Sequence, residues 1–263
     1  LNFVSDQYPP GSSFSIDIVD NWSGFVHGFG DRTLDVPIAE GAKVWSSLGG
    51  GQTELLLLNQ EHGKRVVKIT EPLTEAELAS FKESPPAADA WIVSLDVLTS
   101  QKLVCGIRTA DCYPVIIASR TTPFVAAIHC GWRGAQAGLV VDILTQLARL
   151  GAAQRECEMV IGPGASSLAY EIQDDVASKL NAAFEFVNFP TSTEVESPVI
   201  ERDGKKYGAL ANLLQAQAIF SGVKKDRILV HPSCTISSSR YFSHRREKEL
   251  AGRQLTFIGP KLG

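Results

Sequence analysis

WIVSLDVLTSQKLVCGIRTADCYPVIIASRTTPFVAAIHCGWRG, residues 91–134, is the stretch whose reading decides the fold. Four short apolar runs, WIVSL, KLVCGIRT, YPVIIAS and FVAAIHC, are separated by polar or proline-containing turns. That pattern predicts adjacent strands of one buried sheet. The last run leads through Gly131 directly into RGAQAGLVVDILTQLARLG, where Leu139, Ile143, Leu147 and Leu150 recur at helical spacing and Gly151 supplies a stop. Strand, turn and helix follow without a gap, and open α/β sheets place ligands at strand ends of this kind.

Working outward toward the N-terminus, TELLLLN (53–59) and KRVVKI read as strands with QEHG between them, so His62 is expected in a turn. LTEAELASFKESPPAADA begins as a helix capped by Thr74 and breaks at Pro85 and Pro86. Toward the C-terminus the alternation continues with strand CEMVIGPG, helix QDDVASKLNAAFEF, a polar loop around 190–205, helix ALANLLQAQAIFSG and strand RILVHPSC. A polar tail, RYFSHRREKELAGRQLTFIG, follows. No linker or internal repeat interrupts this order. Residues 1–263 are therefore expected to form a single α/β domain of mixed α+β character, with central mixed sheets flanked by helices.

With 44% hydrophobic and 21% charged residues, the 263-residue chain has the composition of a globular protein with a sizeable core. A net charge of -4 supplies no broad basic surface for phosphate backbones, so small molecules rather than nucleic acids are the expected partners. No apolar run approaches the ~18 residues that cross a bilayer. The N-terminal segment also lacks the basic start and apolar stretch of a signal peptide, so no membrane association and a cytoplasmic location are expected. The cysteines, at 105, 112, 130, 157 and 234, are odd in number and form no CxxC pair, which favours reduced thiols over a disulfide framework.

The chemistry concentrates in two turns. After His129, the helix N-terminus offers free backbone N–H groups and Arg133 adds a fixed cation, so an anion such as phosphate is favoured there. In RTADCYPV the polar TADC segment puts Asp111 and Cys112 at a turn beside the same sheet. Cys112 and His129 could be a nucleophile with its base. With His62 added they could form a three-ligand zinc site that keeps one open position. They could also simply be packed side chains, and the residues alone leave all three readings open. Asp111 reads either as a proton carrier or as a turn-forming aspartate. Gln60 is a substrate contact or a solvated strand end, and Trp132 is a stacking surface or a core residue. Alternation along the strand turns Cys130 away from His129, so Cys130 is not counted as a ligand.

The segments QEHGKRV, TADCYPV, IHCGWRG, IGPGASSLAYEI and CTISSSRYFSHRREKELAGRQ, in this order, resemble the laccase-domain family, also known as the polyphenol oxidase or purine nucleoside phosphorylase family. The resemblance covers nearly the whole chain, and VHGFGDRT is a looser match that carries Arg32. It implies one zinc ion per chain held by His62, Cys112 and His129, on a fold similar to cysteine hydrolases of the bacterial deamidase-toxin type. It also implies phosphorolysis of adenosine, inosine, guanosine and methylthioadenosine, and adenosine deamination. Other members are associated with phenol oxidation by copper or with editing of peptidoglycan precursors. On this reading Asp111 and Cys112 are catalytic, Arg133 and Arg245 hold phosphate, and Arg32 and Gln60 are further substrate contacts.

Three departures stand out. IGPGASSLAYEI lacks the usual cysteine and second Gly-Pro, His244 stands where tyrosine is usual, and Cys130 where alanine is usual. Copper remains the alternative metal. A blue-copper centre wants a weak axial ligand, often methionine, but the only one is Met159 in an expected strand, and five histidines are too few for a multicopper enzyme. Zinc has no redox chemistry but lowers the pKa of bound water to about 7, which suits deamination.

Overall fold

The computed structural model describes residues 2–7, 15–19, 22, 24–35, 53–187 and 195–260. Strands β1 (Phe3–Gln7), β2 (Ser15–Val19) and β3 (Val26–Gly30) are followed by β4 (Glu54–Leu56) and β5 (Val66–Ile69). Helix α1 (Glu75–Glu83) precedes β6 (Ala90–Ser94), and α2 (Leu95–Gln101) runs on from it to β7 (Leu103–Thr109), β8 (Tyr113–Ser119) and β9 (Phe124–Cys130). Next come α3 (Trp132–Gln136), α4 (Leu139–Arg149), β10 (Cys157–Ile161), β11 (Glu171–Ile172) and α5 (Asp174–Val187). The chain finishes with β12 (Val199–Arg202), β13 (Lys205–Gly208), α6 (Leu210–Phe220), β14 (Ile228–Val230), the short α7 (His244–Glu247) and β15 (Gln254–Gly259).

These strands form two six-stranded mixed sheets, ordered β1-β2-β3-β15-β7-β4 and β14-β10-β8-β9-β6-β5, and a small sheet β11-β13-β12. The two large sheets face each other. Phe29, Leu56, Cys105, Ile107 and Ile258 of the first pack with Trp91, Val93, Ile116, Val125 and Ala127 of the second in one buried cluster. The other face of the second sheet, with Ile92, Val115, Ile117 and Ile128, is covered by Leu139, Ile143 and Leu147 of α4 and by Leu213 and Leu214 of α6. β6, β8 and β9 therefore bury both faces, which is why they read as continuous apolar runs rather than alternating ones.

Several details depart from the sequence reading. The expected single sheet splits: α2, which the apolar pattern does not announce as a helix, carries the chain out of β6, and β7 pairs with β15 and β4 in the opposite sheet. The expected long helix after His129 is broken into α3 and α4 by Gly138, which adopts φ +77. The loop expected around 190–205 lies partly outside the described residues, and its described part contains β12, paired with β13. The polar tail ends in β15, a fully buried strand between β3 and β7. The Thr74 cap is as expected: its side chain accepts from the Glu77 N–H, and the Glu77 carboxylate accepts from the Thr74 N–H at 2.8 Å.

The strand directions determine where chemistry can collect. β9 runs antiparallel to both β6 and β8, and β5 runs parallel to β6. The C-terminal end of β9 thus lies beside the N-terminal starts of β5, β6 and β8. His62, Asp89, Cys112 and His129 all fall on this one edge.

Candidate metal centre

His129 is the penultimate residue of β9 and is buried, Cys112 is half-buried in the turn before β8, and His62 is exposed in the turn before β5. Their ligand atoms lie within 4.8 Å of one another. The two imidazoles meet edge to face with ring centroids 4.8 Å apart. Gly131 makes this approach possible, since a Cβ there would stand 2.9 Å from Cys112 Sγ and 3.4 Å from His62 Cδ2. His62 holds a left-handed backbone at φ 59, unusual for a residue with a side chain.

Asp89, directly before β6 and 1% exposed, joins the site without any signal in the sequence motifs. Its Oδ1 is 2.8 Å from His129 Nδ1 and accepts from the His62 N–H at 2.9 Å, while Oδ2 accepts from the Gly63 N–H at 2.7 Å. Burial raises the Asp89 pKa, but the hydrogen bonds from His129 and Gly63 outweigh it and hold the carboxyl below its ordinary value. Burial likewise pushes the Cys112 thiol up, and the charge and hydrogen bond of His129, with help from His62, bring it below the usual thiol range. His129 responds in the opposite sense. Burial lowers it, and Cys112 and Asp89 raise it above the ordinary imidazole value. The pair therefore favours a thiolate, which is the form of cysteine that binds a metal or attacks an electrophile. Cys130 lies in the apolar core, on the face away from His129, as the alternation predicts.

The remaining expected residues divide by position. Asp111, at φ 89, accepts from Thr235 Oγ1 at 2.7 Å through Oδ1 and from the Arg245 N–H at 2.6 Å through Oδ2. Arg245 donates through Nη1 to the Glu171 carbonyl at 3.1 Å and lies 5.2 Å over the Tyr170 ring. Arg133 stacks on Trp132 at 4.4 Å, and Lys179 approaches the same ring at 5.3 Å, so the indole is engaged with cations. Among the described residues Arg133 has no carboxylate partner. Arg32 differs: it is ion-paired to Glu247 and stacked on Phe242. Gln60 closes two hydrogen bonds with the Arg108 backbone, at 2.8 and 2.9 Å, and thereby ties the ligand turn to β7.

Tyr170 is a second site residue that the motifs do not single out. Burial and then the neighbouring Cys112 charge push its phenol up to about 12, with Arg245, Asp111 and Arg133 also acting on it. Four of the expected site residues, Cys112, Asp111, Arg133 and Arg245, thus act on this one phenol. The basic run SHRREK splits in function as well. Arg246 donates to the carbonyls of Thr235, Ile236, Ser238 and Tyr241 and so pins the C-terminal segment, which leaves Arg245 at the site.

Fold and site together define a class of mixed α/β proteins with a His/Cys/His group able to hold a metal at the edge of a buried sheet. The chain belongs to the family described as multi-copper polyphenol oxidoreductase laccase, whose sequence profile matches residues 27–261. It is similar to a purine nucleoside phosphorylase of Deinococcus radiodurans, with 28% identity over 231 residues that cover 87% of this chain and 80% of that protein. It is also similar to adenosine deaminase RL5 of an unknown prokaryotic organism, with 26% identity over 212 residues, 80% of this chain and 77% of the relative. Among solved structures, YlmD from Geobacillus stearothermophilus superposes with a TM-score of 0.77 at 20% identity, covering 99% of this chain and 100% of that one. No helix among the described residues is long and apolar enough to cross a membrane.

Proposed function

We propose that this protein is a zinc-dependent purine nucleoside enzyme, acting by phosphorolysis on adenosine, inosine, guanosine and methylthioadenosine and able to deaminate adenosine. The observation that carries this is the convergence of the ligand atoms of His62, Cys112 and His129 within 4.8 Å of one another, beside a glycine where a Cβ would crowd Cys112 and His62. Two imidazole nitrogens and a thiolate are a zinc-type donor set with one position left for water or substrate. The relatives named for nucleoside phosphorolysis and adenosine deamination supply the substrate class. When bound, zinc would act as a Lewis acid and lower the pKa of water.

The chain's own residues account for the rest. Arg133 and Arg245 carry the positive charge that holds phosphate, and Arg245 is fixed in place through Asp111 and the Glu171 carbonyl. In phosphorolysis a phosphate oxygen bonds to C1′ as the bond from C1′ to the purine nitrogen breaks, and the electron pair leaves on the purine. The phenol of Tyr170 keeps its proton at neutral pH and can donate a hydrogen bond to that charge. Asp111 holds Arg245 and Thr235 together at the site.

The family description itself favours a second reading, a copper phenol oxidase. Five histidines in the chain, and one His/Cys/His group among the described residues, supply too few ligands for several coppers. Elemental analysis of tag-free protein, coupled to adenosine and inosine turnover with and without phosphate, separates the readings. About one zinc per chain, with phosphate-dependent purine release that is lost in Cys112→Ala, is the expected result. Several coppers per chain with phenol oxidation would establish the oxidase. A metal-free protein whose Cys112 alkylates readily and cleaves amides would establish a Cys/His hydrolase.

A further inference from the structure

Asp89 is the point through which two of the three ligand-bearing segments are joined. It sits at the start of β6, the strand between β5 and β9, so the His62 turn lies on one side of it and His129 on the other. All its polar groups are used on these neighbours. The backbone N–H donates to the Arg65 carbonyl at 2.9 Å, and the backbone carbonyl accepts from the His129 N–H at 2.7 Å. The carboxylate takes His129 Nδ1 and the successive N–H groups of His62 and Gly63.

We propose that Asp89 is a positioning residue that presets the metal-binding geometry of His62 and His129 together. This rests on the reading of His62, Cys112 and His129 as metal ligands. On the His129 side, a carboxylate oxygen at Nδ1 fixes the proton there and leaves the Nε2 lone pair for a metal, the arrangement in which a carboxylate orients and strengthens a histidine ligand. On the His62 side, the left-handed residue turns two consecutive N–H groups onto one anion, a backbone nest. The anion offsets the cost of the left-handed conformation, and that conformation carries the exposed imidazole to the site. Because Oδ1 serves both histidines, moving one displaces the other.

The two faces of the carboxylate can be separated by substitution. Asp89→Ala removes every side-chain contact. Asp89→Asn keeps an oxygen for His129 Nδ1 but places an amide N–H against the Gly63 N–H, so it retains one half of the arrangement. Zinc affinity is measured on metal-stripped protein by competition with a chromophoric chelator, and the cobalt(II) absorption spectrum reports ligand geometry. Melting of the apo-protein is followed in parallel. Val93→Ala, a truncation in the core of the same strand, serves as a stability control.

The expected result is a loss of zinc affinity of about 10- to 100-fold in Asp89→Ala with an altered cobalt spectrum, and a smaller loss in Asp89→Asn. Val93→Ala is expected to melt earlier but bind as the wild type does. If Asp89→Ala does not fold, Asp89→Asn carries the test by the same two readouts. Folded Asp89 variants that keep wild-type affinity and spectrum, with only a lower melting temperature, would reduce Asp89 to a structural role and overturn the proposal alone. Wild-type protein that takes up neither zinc nor cobalt would overturn the metal reading, and the positioning role with it.

Discussion

At the scale of the residue, the glycine between the ligands is as decisive as the ligands. Gly131→Ala would place a Cβ 2.9 Å from Cys112 Sγ, a separation that forces the thiol to move, although the backbone at φ -81 accepts any residue. The strain is about 1 to 3 kcal/mol if the turn holds. Since it falls on the ligand itself, zinc affinity measured by chelator competition should drop by at least tenfold while the far-ultraviolet circular dichroism spectrum is unchanged. That His62, Cys112 and His129 come together is foreshadowed by their place beside apolar runs, but those residues alone leave a metal site, a Cys/His dyad and simple packing open, and the family resemblance is what groups them as ligands and marks Arg245. Asp89 lies outside the motifs that carry that resemblance, and Tyr170 lies within IGPGASSLAYEI without being marked out by it. An aspartate after PPAA reads as a solvated turn, and its burial depends on partners 27 and 40 residues away that only the sheet brings near. Arg32 and Gln60 are expected from the sequence as substrate contacts, and the fold adds what the sequence does not show, an ion pair of Arg32 with Glu247 and two hydrogen bonds of Gln60 with the Arg108 backbone.

At the scale of the element, the break between α3 and α4 separates the helix that carries Arg133 from the one that covers the sheet. Gly138 makes that break at φ +77, and a Cβ there meets nothing within 4 Å. The cost of Gly138→Ala is therefore one of backbone conformation alone, about 1 kcal/mol. Urea unfolding should show a loss of that size, partly restored in Gly138→Asn because asparagine tolerates the left-handed region better. Periodicity runs through this glycine because the apolar spacing of α4 continues in phase with the turn before it. Elements whose apolar face is long, such as α4, α5 and β8 to β10, are readable. α2 escapes because its seven residues form barely two turns, and β15 because QLTFIG follows a long charged stretch and its hydrogen-bonding partners β3 and β7 are distant in the sequence.

At the scale of the whole molecule, β15 brings the end of the described chain between β3 and β7, so early and late segments support one sheet. The same closure is repeated in polar form. Asp17 of β2, 2% exposed, accepts from Ser5, Arg240 and Tyr241 and contacts His231 Nε2 at 3.1 Å. Burial raises the Asp17 pKa, and the hydrogen bonds from His231 and Ser5 with the Arg240 charge pull it far below the ordinary carboxylate value. Nearby in the sheet, His27 Nε2 accepts from the Val19 N–H at 2.9 Å, and burial pushes its pKa down to about 4, with a carbonyl contact from Phe25 working against this. Both groups bind protons more weakly in the folded than in the unfolded chain, so both stabilise the fold at neutral pH and lose that contribution as acid is added. The windows differ. His27 acts first, from its unfolded value near 6.5 down to about 4, and Asp17 follows below the unfolded value of 3.8. The His27 window, from 6.5 to about 4, is worth on the order of 3 to 4 kcal/mol, since every tenfold weakening of proton binding corresponds to about 1.4 kcal/mol. His27→Gln retains an acceptor for Val19 but does not titrate. The unfolding free energy of the wild-type apo-protein, measured by urea at pH steps from 7 to 4, should fall more steeply than that of His27→Gln, and the two curves should run parallel below pH 4. Equal slopes between pH 6.5 and 4 would mean that His27 binds protons as readily in the folded chain as in the unfolded one, and that its burial contributes nothing to the acid sensitivity.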